Sequence, residues 1–154
     1  MNDIGRRAIG LSLIVTLFVF TGIGAERLAK NSETMRGEAI ATHIAVLRAG
    51  KPQEKAAAAY WLGQQHAAAA EAVTPLVELL GEATLVNPAQ YRVSRVLQKL
   101  TLGEEAAAAL VNIGHPSIEP LIRVLKTSPM PEARKNAAWA LGALHETGAT
   151  SAEI

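Results

Sequence analysis

PQEKAAAAYWLG, at residues 52–63, recurs as PEARKNAAWALG at residues 131–142. Five positions are identical, and Tyr60 aligns with Trp139. Both segments are rich in alanine, which favours helices that can approach one another closely. A chain that repeats a helical segment is built of stacked units, and each unit covers the apolar face of its neighbour. The repetition therefore predicts an all-α repeat fold.

A second motif also occurs twice, as VTPLVELL at residues 73–80 and IEPLIRVL at residues 118–125. Its apolar residues follow the i, i+3, i+4, i+7 spacing of one helix face. An alanine-rich segment precedes each copy, so the sequence predicts pairs made of an alanine-rich first helix and an aliphatic second helix. The predicted helices span Thr34–Ala49, Gln53–Gln65, Ala67–Leu80, an alanine-rich stretch at 106–114, Pro116–Thr127 and Glu132–His145.

The combined pattern, A-A-x-x-L-G and then P-L-[IV]-x-x-L, resembles the HEAT family, in particular the bacterial HEAT-like repeats of the phycobilisome-lyase type. The resemblance covers about residues 35–145. It implies a short right-handed α-solenoid whose second helices line the concave side. The residues that carry it are Ala58, Ala59, Leu62, Gly63, Pro75, Leu76, Ala106, Ala107, Leu110, Gly114, Pro120, Leu121, Ala137, Ala138, Leu141 and Gly142.

An apolar leader precedes the repeats. Arg6 and Arg7 are followed by the uncharged residues 8–25, which end in small residues. This pattern predicts a signal peptide cleaved near Ala25 and an exported protein, periplasmic or extracellular. The alternatives are an uncleaved membrane anchor at residues 8–25, short against the usual span of about 20, and a buried core helix. As a signal peptide or as an anchor, the leader is expected to contact the membrane. A polar lead-in at 26–33 and a repeat domain at 34–154 follow it.

Charge argues against nucleic acid as a partner. Two of the fifteen Lys and Arg residues and one of the fourteen Asp and Glu residues lie in residues 1–25, so thirteen of each remain after cleavage. A neutral chain without a basic cluster gains little from counterion release. The chain has no cysteine, which excludes a disulfide.

An insert at residues 82–102 interrupts the array. It lengthens the repeat spacing from 31 residues, between Leu110 and Leu141, to 48 residues, between Leu62 and Leu110. The segment 88–100 can form an extra helix, and the alternative is an irregular loop on the edge of the array. Because insertions into repeats often decorate the binding face, the insert is a candidate contact surface, with contact residues Tyr91, Arg92 and Arg95.

Polar residues on the second helices, together with Arg48 before them, form the other candidate surface. They point away from the aliphatic stripe and are predicted to lie on the concave side; the alternative is a merely solvated face. They are Arg48, Glu71, Thr74, Glu78, Glu119, Arg123 and Lys126.

The end of the array is a third feature. The final helix has no second helix after it, and solenoid ends normally need a polar cap. Either the chain is truncated, or an exposed face with Ala137, Leu141 and Leu144 meets another molecule, including a second copy.

Residues that could carry chemistry are few. His145-Glu146 is the one His-Glu pair, and two ligands are too few for a metal site. Glu104 and Glu105 open a helix, where they complement its dipole. Trp61 and Trp139 are expected to fill space between layers, or to anchor a partner if exposed. No catalytic arrangement and no cofactor motif is found.

These observations predict a non-enzymatic protein–protein interaction scaffold, exported or membrane-tethered. It would bind a protein partner through the concave face or the insert. The alternative is an accessory subunit or lyase-like assistant of an enzyme, which the family resemblance alone implies.

Overall fold

The computed structural model describes residues 4–92 and 99–148, and for residues 4–24 it describes the backbone alone. Within these ranges the protein is all-α apart from two short strands and three 3-10 segments. The helices are α1 (Ile4–Ala49), α2 (Pro52–Gly63), α3 (Val73–Glu78), α4 (Leu102–Ile113), α5 (Ile118–Thr127) and α6 (Pro131–Glu146). The strands are β1 (Leu85–Val86) and β2 (Leu100–Thr101); the 3-10 segments are His66–Ala72, Pro88–Gln90 and His115–Ser117.

The chain divides into two compact units, residues 1–39 and residues 40–154. In the first unit, every side chain from Ala25 to Glu38 is exposed, including Leu28 and Met35. The helix predicted to begin at Thr34 starts much earlier, so the polar lead-in at 26–33 is itself helical.

The leader prediction concerns residues 1–25. Residues 1–3, and the side chains up to residue 24, lie outside the described part of the chain. Among the residues that are described, no helix combines the length and the apolar character needed to cross a membrane. Cleavage near Ala25, or anchoring by residues 8–25, therefore stays a prediction.

The second unit is built from the predicted helix pairs. Helix α4 packs against α2 on one side and α6 on the other, while α3 contacts α4 and α5, and α5 contacts α6. Small residues allow the first helices to approach closely: a Cβ atom placed on Gly63 would lie 3.0 Å from the Cα atom of Ala109. This arrangement confirms an all-α, HEAT-like stack of helix pairs.

Leucines at repeat positions fill the space between the layers. Leu62 and Leu110 of the first helices, and Leu76 and Leu121 of the second helices, are fully buried. Burial of each such side chain stabilises the fold by roughly 1.5–3 kcal/mol. Residues Ile40, Ile44 and Leu47 of α1 join the same core. Leu125, which was predicted to lie in the aliphatic stripe of α5, is 38% exposed.

The second helices are shorter than predicted because each contains a proline. Helices α3 and α5 begin two residues before Pro75 and Pro120, and a 3-10 segment precedes each of them. Proline lacks an N–H group, and its ring collides with the carbonyl group four residues earlier, so it is tolerated only in the first turn. The single helix predicted at 67–80 is therefore divided into 3-10 and α parts.

The two ends of the insert form a short antiparallel ladder of β1 and β2. Leu85 pairs with Thr101, and Val86 with Leu100, in antiparallel register. Of the two alternatives for residues 88–100, an extra helix over the whole segment is wrong at both ends, because Pro88–Gln90 is 3-10 and Leu100 is in a strand. Residues 93–98 lie outside the described part. The ladder brings the two ends of the insert together at the start of α4.

The predicted exposed face of the final helix is also wrong. Ala137 and Leu144 are fully buried, and Leu141 is partly buried against the core. They point inward because α6 packs on both α4 and α5. The large apolar side chain that α6 exposes is Trp139, at 56% of its surface.

Candidate functional site

Three residues at equivalent positions of successive repeats border a depression on the surface of the first helices. The spacing that relates Leu62, Leu110 and Leu141 also relates Tyr60, Ala108 and Trp139. Each lies on the outer side of its helix, and neither Ala108 nor Trp139 is fully buried. Because the middle layer carries alanine where both neighbours carry an aromatic ring, a depression is left above Ala108.

Two adjoining depressions share this floor. The larger, about 440 Å³, lies between α4, α6 and the end of the insert. The smaller, about 240 Å³, extends towards Tyr60 of α2 and Gln64, the residue that follows this helix. Arg92, Ala108 and Trp139 line both, so we treat the two as one site, the Trp139 groove. Its walls include Tyr60, Arg92, Leu100, Glu104, Lys135 and Trp139.

A buried carboxylate holds the insert side of the groove. The Glu105 side chain is 1% exposed, and both of its oxygens accept hydrogen bonds from Nη2 of Arg92, at 2.7 and 2.6 Å. The Tyr91 hydroxyl donates to Oε2 of Glu105 at 2.8 Å. Burial, and secondarily the neighbouring Glu105 carboxylate, raises the pKa of Tyr91 well above its ordinary value. These bonds tie the insert to α4 at the point where it borders the groove.

Aromatic contacts connect the cluster of Tyr91, Arg92 and Glu105 to α2. The Arg92 guanidinium lies over the Tyr60 ring, 5.1 Å from its centre. The rings of Tyr60 and Tyr91 are 5.8 Å apart and tilted. A cation over an aromatic face is an attractive arrangement. Arg92 therefore connects α2, the insert and α4 while it lines the groove.

The charged residues at the other wall of the groove, Glu104 and Lys135, already have partners within the chain. Glu104 caps α4: its carboxylate accepts from the Thr101 amide at 2.8 Å, and the Thr101 hydroxyl accepts from the Glu104 amide. Lys135 pairs with Glu132 one turn earlier on α6. The hydrogen bond to Glu132 raises the pKa of Lys135, and Glu104 adds a smaller contribution. The Lys135 cation thus remains charged at neutral pH at the mouth of the groove.

A buried amide fixes the helix that presents Trp139. Nδ2 of Asn136 donates to the Leu80 carbonyl, at the end of the first pair, at 2.8 Å. The same carbonyl would lie only 2.6 Å from a Cβ atom on Gly103, so the start of α4 must also be glycine here. Three chain segments meet at this point, and this contact holds α6 beside α4.

The residues predicted from the second helices do not line the groove. Arg48, Glu71, Thr74, Glu78, Glu119, Arg123 and Lys126 are all exposed. Arg123 and Glu119 form an ion pair at 3.9 Å on a highly exposed part of α5. Such surface pairs contribute little to stability. The structure therefore places these residues on a surface separate from the Trp139 groove.

The insert residues have mixed outcomes. Arg92 lines the groove, and Tyr91 and Arg92 are both bonded to Glu105; their role as contact residues stays a prediction. Arg95 lies outside the described residues. Glu104 and Glu105 both lie in the first turn of α4, as predicted, and Glu105 is in addition buried.

Trp139 is exposed, which the sequence predicted only as the alternative to filling space between layers. Trp61 fills space as predicted, stacked on His43 with ring centres 4.0 Å apart. In the repeat alignment Trp139 stands at the position of Tyr60, which is one residue before the position of Trp61. This difference of one residue places Trp139 on the exposed side of its helix. The available signal was the series Tyr60, Ala108, Trp139, in which a small residue stands between two aromatic ones.

The histidines are not among the residues that line the Trp139 groove. His66 adopts a positive φ of 51° in the turn after α2, and its Nδ1 lies 3.1 Å from the Asn112 carbonyl oxygen. Among the residues that the structure describes, no three His, Asp or Glu side chains are grouped to hold a metal ion.

Comparison with known protein families matches one repeat of the chain. Residues 104–127 match the family model described as PBS lyase HEAT-like repeat. The matched segment contains most of α4 and all of α5, which is one first helix with its second helix. No curated protein and no solved structure matched the chain. The match covers 24 of the 154 residues, so it shows that one helix pair of this chain is similar to a HEAT-like repeat.

Proposed function

We propose that the chain is a non-enzymatic interaction scaffold that binds a protein partner in the Trp139 groove. The observation that carries the proposal is the 56% exposed Trp139 ring beside a groove floored by Ala108. An exposed tryptophan next to a depression is costly to leave in water and is typical of a binding anchor.

The composition of the groove supports the same proposal. Trp, Tyr and Arg are the residue types most enriched among those that dominate binding energy at protein interfaces. Trp139, Tyr60 and Arg92 occur together here, on elements that packing and the Glu105 bonds hold in place. A prearranged site loses less conformational freedom when it binds.

The test compares two surfaces of the same protein. Wild type, Trp139→Ala and a Glu78→Lys/Arg123→Glu double variant are used to capture partners from an extract of the source cell. We expect Trp139→Ala to lose the partner and the double variant to keep it. With the purified partner, calorimetry should show about 30-fold weaker binding for Trp139→Ala, since an anchor residue contributes about 2 kcal/mol or more. Loss of the partner only in the double variant would overturn the groove as the binding site.

A lyase-like assistant of an enzyme is a second candidate function. The matched family model carries the words PBS lyase, and the larger depression, about 440 Å³, falls within the range of small-molecule sites. Titration with a free linear tetrapyrrole, followed by its visible absorbance, tests this candidate. A saturable spectral change that Trp139→Ala removes would support it over a purely protein-binding role.

Export or membrane attachment completes the proposal and depends on residues 8–25. The intact mass of the protein isolated from its source cell separates the two forms. Loss of about 25 residues indicates cleavage by the signal-peptide route, and a full-length mass in the membrane fraction indicates an anchor.

A further inference from the structure

A gap between two aromatic side chains lies in the middle of the Trp139 groove. Tyr60 of α2 and Trp139 of α6 both line the smaller depression, and Ala108 of α4, the helix between them, lines its floor. The three positions are equivalent in the repeat, so each neighbouring layer carries an aromatic ring where the middle layer carries alanine. A ring placed above Ala108 can contact both neighbours, and aromatic pairs attract one another beyond the apolar area that they bury.

The charges around this gap favour a neutral occupant. Arg92 is bonded to the buried Glu105, and Lys135 is paired with Glu132 on its own helix. The Glu104 carboxylate accepts from the amide at the start of α4. Because each of these charges already has a partner, a charged group that entered the groove would lose its hydration without gaining a free counter-charge.

Two carboxamide side chains border the same gap at its α2 end. Gln64 and Asn112 line the smaller depression, and both are exposed. The contact of 3.1 Å between Nδ1 of His66 and the Asn112 carbonyl oxygen joins the turn after α2, which carries Gln64, to the last turn of α4. A carboxamide offers a donor and an acceptor, as a peptide unit does. This end of the gap can therefore pair with a backbone.

Another glutamine of the protein already makes such a contact. Nε2 of Gln53 donates to the Asn87 carbonyl at 2.9 Å, and the Asn87 amide donates to Oε1 of Gln53 at 3.0 Å. The backbone of Asn87 is extended, with φ −107° and ψ 101°. A glutamine side chain can thus hold an extended segment through two hydrogen bonds.

We propose that the Trp139 groove recognises an extended segment of the partner that carries a neutral aromatic residue, Phe or Tyr. The ring occupies the gap above Ala108, between Tyr60 and Trp139, and the adjoining peptide units pair with the amides of Gln64 and Asn112. This inference rests on the proposed function and specifies the chemistry of the partner.

Three capped tripeptides test the recognition without knowledge of the partner. Acetyl-Gly-Phe-Gly-amide carries the ring, a second peptide has Leu in place of Phe, and a third has 4-carboxyphenylalanine, which adds a charge to the ring. Each is titrated into the ¹⁵N-labelled full-length chain, while the indole N–H of Trp139 and the side-chain amides of Gln64 and Asn112 are followed by NMR. We expect the Phe peptide to shift these signals and to bind about fivefold more tightly than either control.

Variants locate the ring and the backbone contacts. Ala108→Leu fills the gap and should abolish binding of the Phe peptide, whereas Ala138→Leu, at an exposed position of α6 outside the groove, should leave its affinity unchanged. The double variant Gln64→Ala/Asn112→Ala should bind about fivefold more weakly. Gln90→Ala, which changes an exposed glutamine of the insert, should bind as the wild-type chain does. Circular dichroism confirms that each variant is folded.

Equal affinity for the Phe and Leu peptides, or an Ala108→Leu variant that binds as the wild-type chain does, would overturn the inference. Unchanged affinity in the Gln64→Ala/Asn112→Ala variant would overturn the backbone pairing. None of these results affects the proposed function, which stands or falls on partner capture by Trp139→Ala. If Trp139→Ala still captures the partner while the Phe peptide binds as expected, the groove recognises aromatic peptides and the scaffold proposal is wrong.

Discussion

Replacement of Glu105 by glutamine should destabilise the protein far more than the same replacement at Glu104. Glu105 is buried, and its two oxygens accept three hydrogen bonds, two from Arg92 and one from Tyr91. Glutamine keeps the shape but turns one acceptor into an NH₂ group, which faces donors. The Arg92 cation then lacks its counter-charge.

The expected loss of unfolding free energy follows from the burial of the Arg92–Glu105 ion pair. Removal of one member of a buried ion pair costs about 3–5 kcal/mol. Arg92 keeps 20% of its side chain in contact with water, and partial hydration lowers the cost to about 2–4 kcal/mol. At the neighbouring position, glutamine can still serve in the capping box with Thr101. Glu104→Gln should therefore cost no more than about 0.5 kcal/mol.

Urea unfolding followed by circular dichroism measures both variants. Hydrogen exchange on residues 84–92 adds a local readout, because the insert should open more readily when Glu105 no longer holds Tyr91 and Arg92. If the two variants differ by less than about 0.5 kcal/mol, the buried carboxylate is not what holds the insert. That difference lies within the spread of ordinary surface substitutions.

Two further perturbations test the cluster and the helix junction. Because Tyr91 has a raised pKa in the folded chain, its contribution to stability is fully present below its ordinary value of 10.0 and is lost as the pH rises above it. The free energy of unfolding should therefore fall more steeply above pH 10.0 in wild type than in Tyr91→Phe, and parallel curves would contradict this. Asn136→Ala leaves the Leu80 carbonyl without its amide donor and should cost about 1–3 kcal/mol. The control Asn112→Ala, on the exposed side of α4, should cost about 0.5 kcal/mol or less in thermal unfolding. Equal costs for the two asparagines would remove Asn136 as the residue that fixes α6.

Much of the fold could be predicted because its signals are local. The alternation of alanine-rich and leucine-striped segments predicts which residues face inward, since a helix repeats its faces every 3.6 residues. Pro75 and Pro120 align for the same reason, and both stand in the first turn of a helix. The observed helices start later than the predicted Ala67 and Pro116, because each proline lies in the first turn of its α-helix and the preceding turn is 3-10.

The candidate site was predicted less well because it depends on sizes in neighbouring layers. Ala108 is unremarkable within α4, where alanine occurs at several positions. It becomes the floor of a groove only because Tyr60 and Trp139 stand on the helices at either side. Glu105 likewise reads as an ordinary helix-opening residue until the insert returns Tyr91 and Arg92 to it.

The amino-acid sequence by itself determined the repeated helix pairs, their order and the aliphatic core, because helical periodicity and proline geometry act over a few residues. Only the tertiary structure decided that the groove lies on the first helices and not on the second. The reason is that residues far apart in the chain must meet there: the base of the insert closes through β1 and β2, and Asn136 of α6 bonds to Leu80. No local pattern specifies these contacts, and they arise when the layers stack.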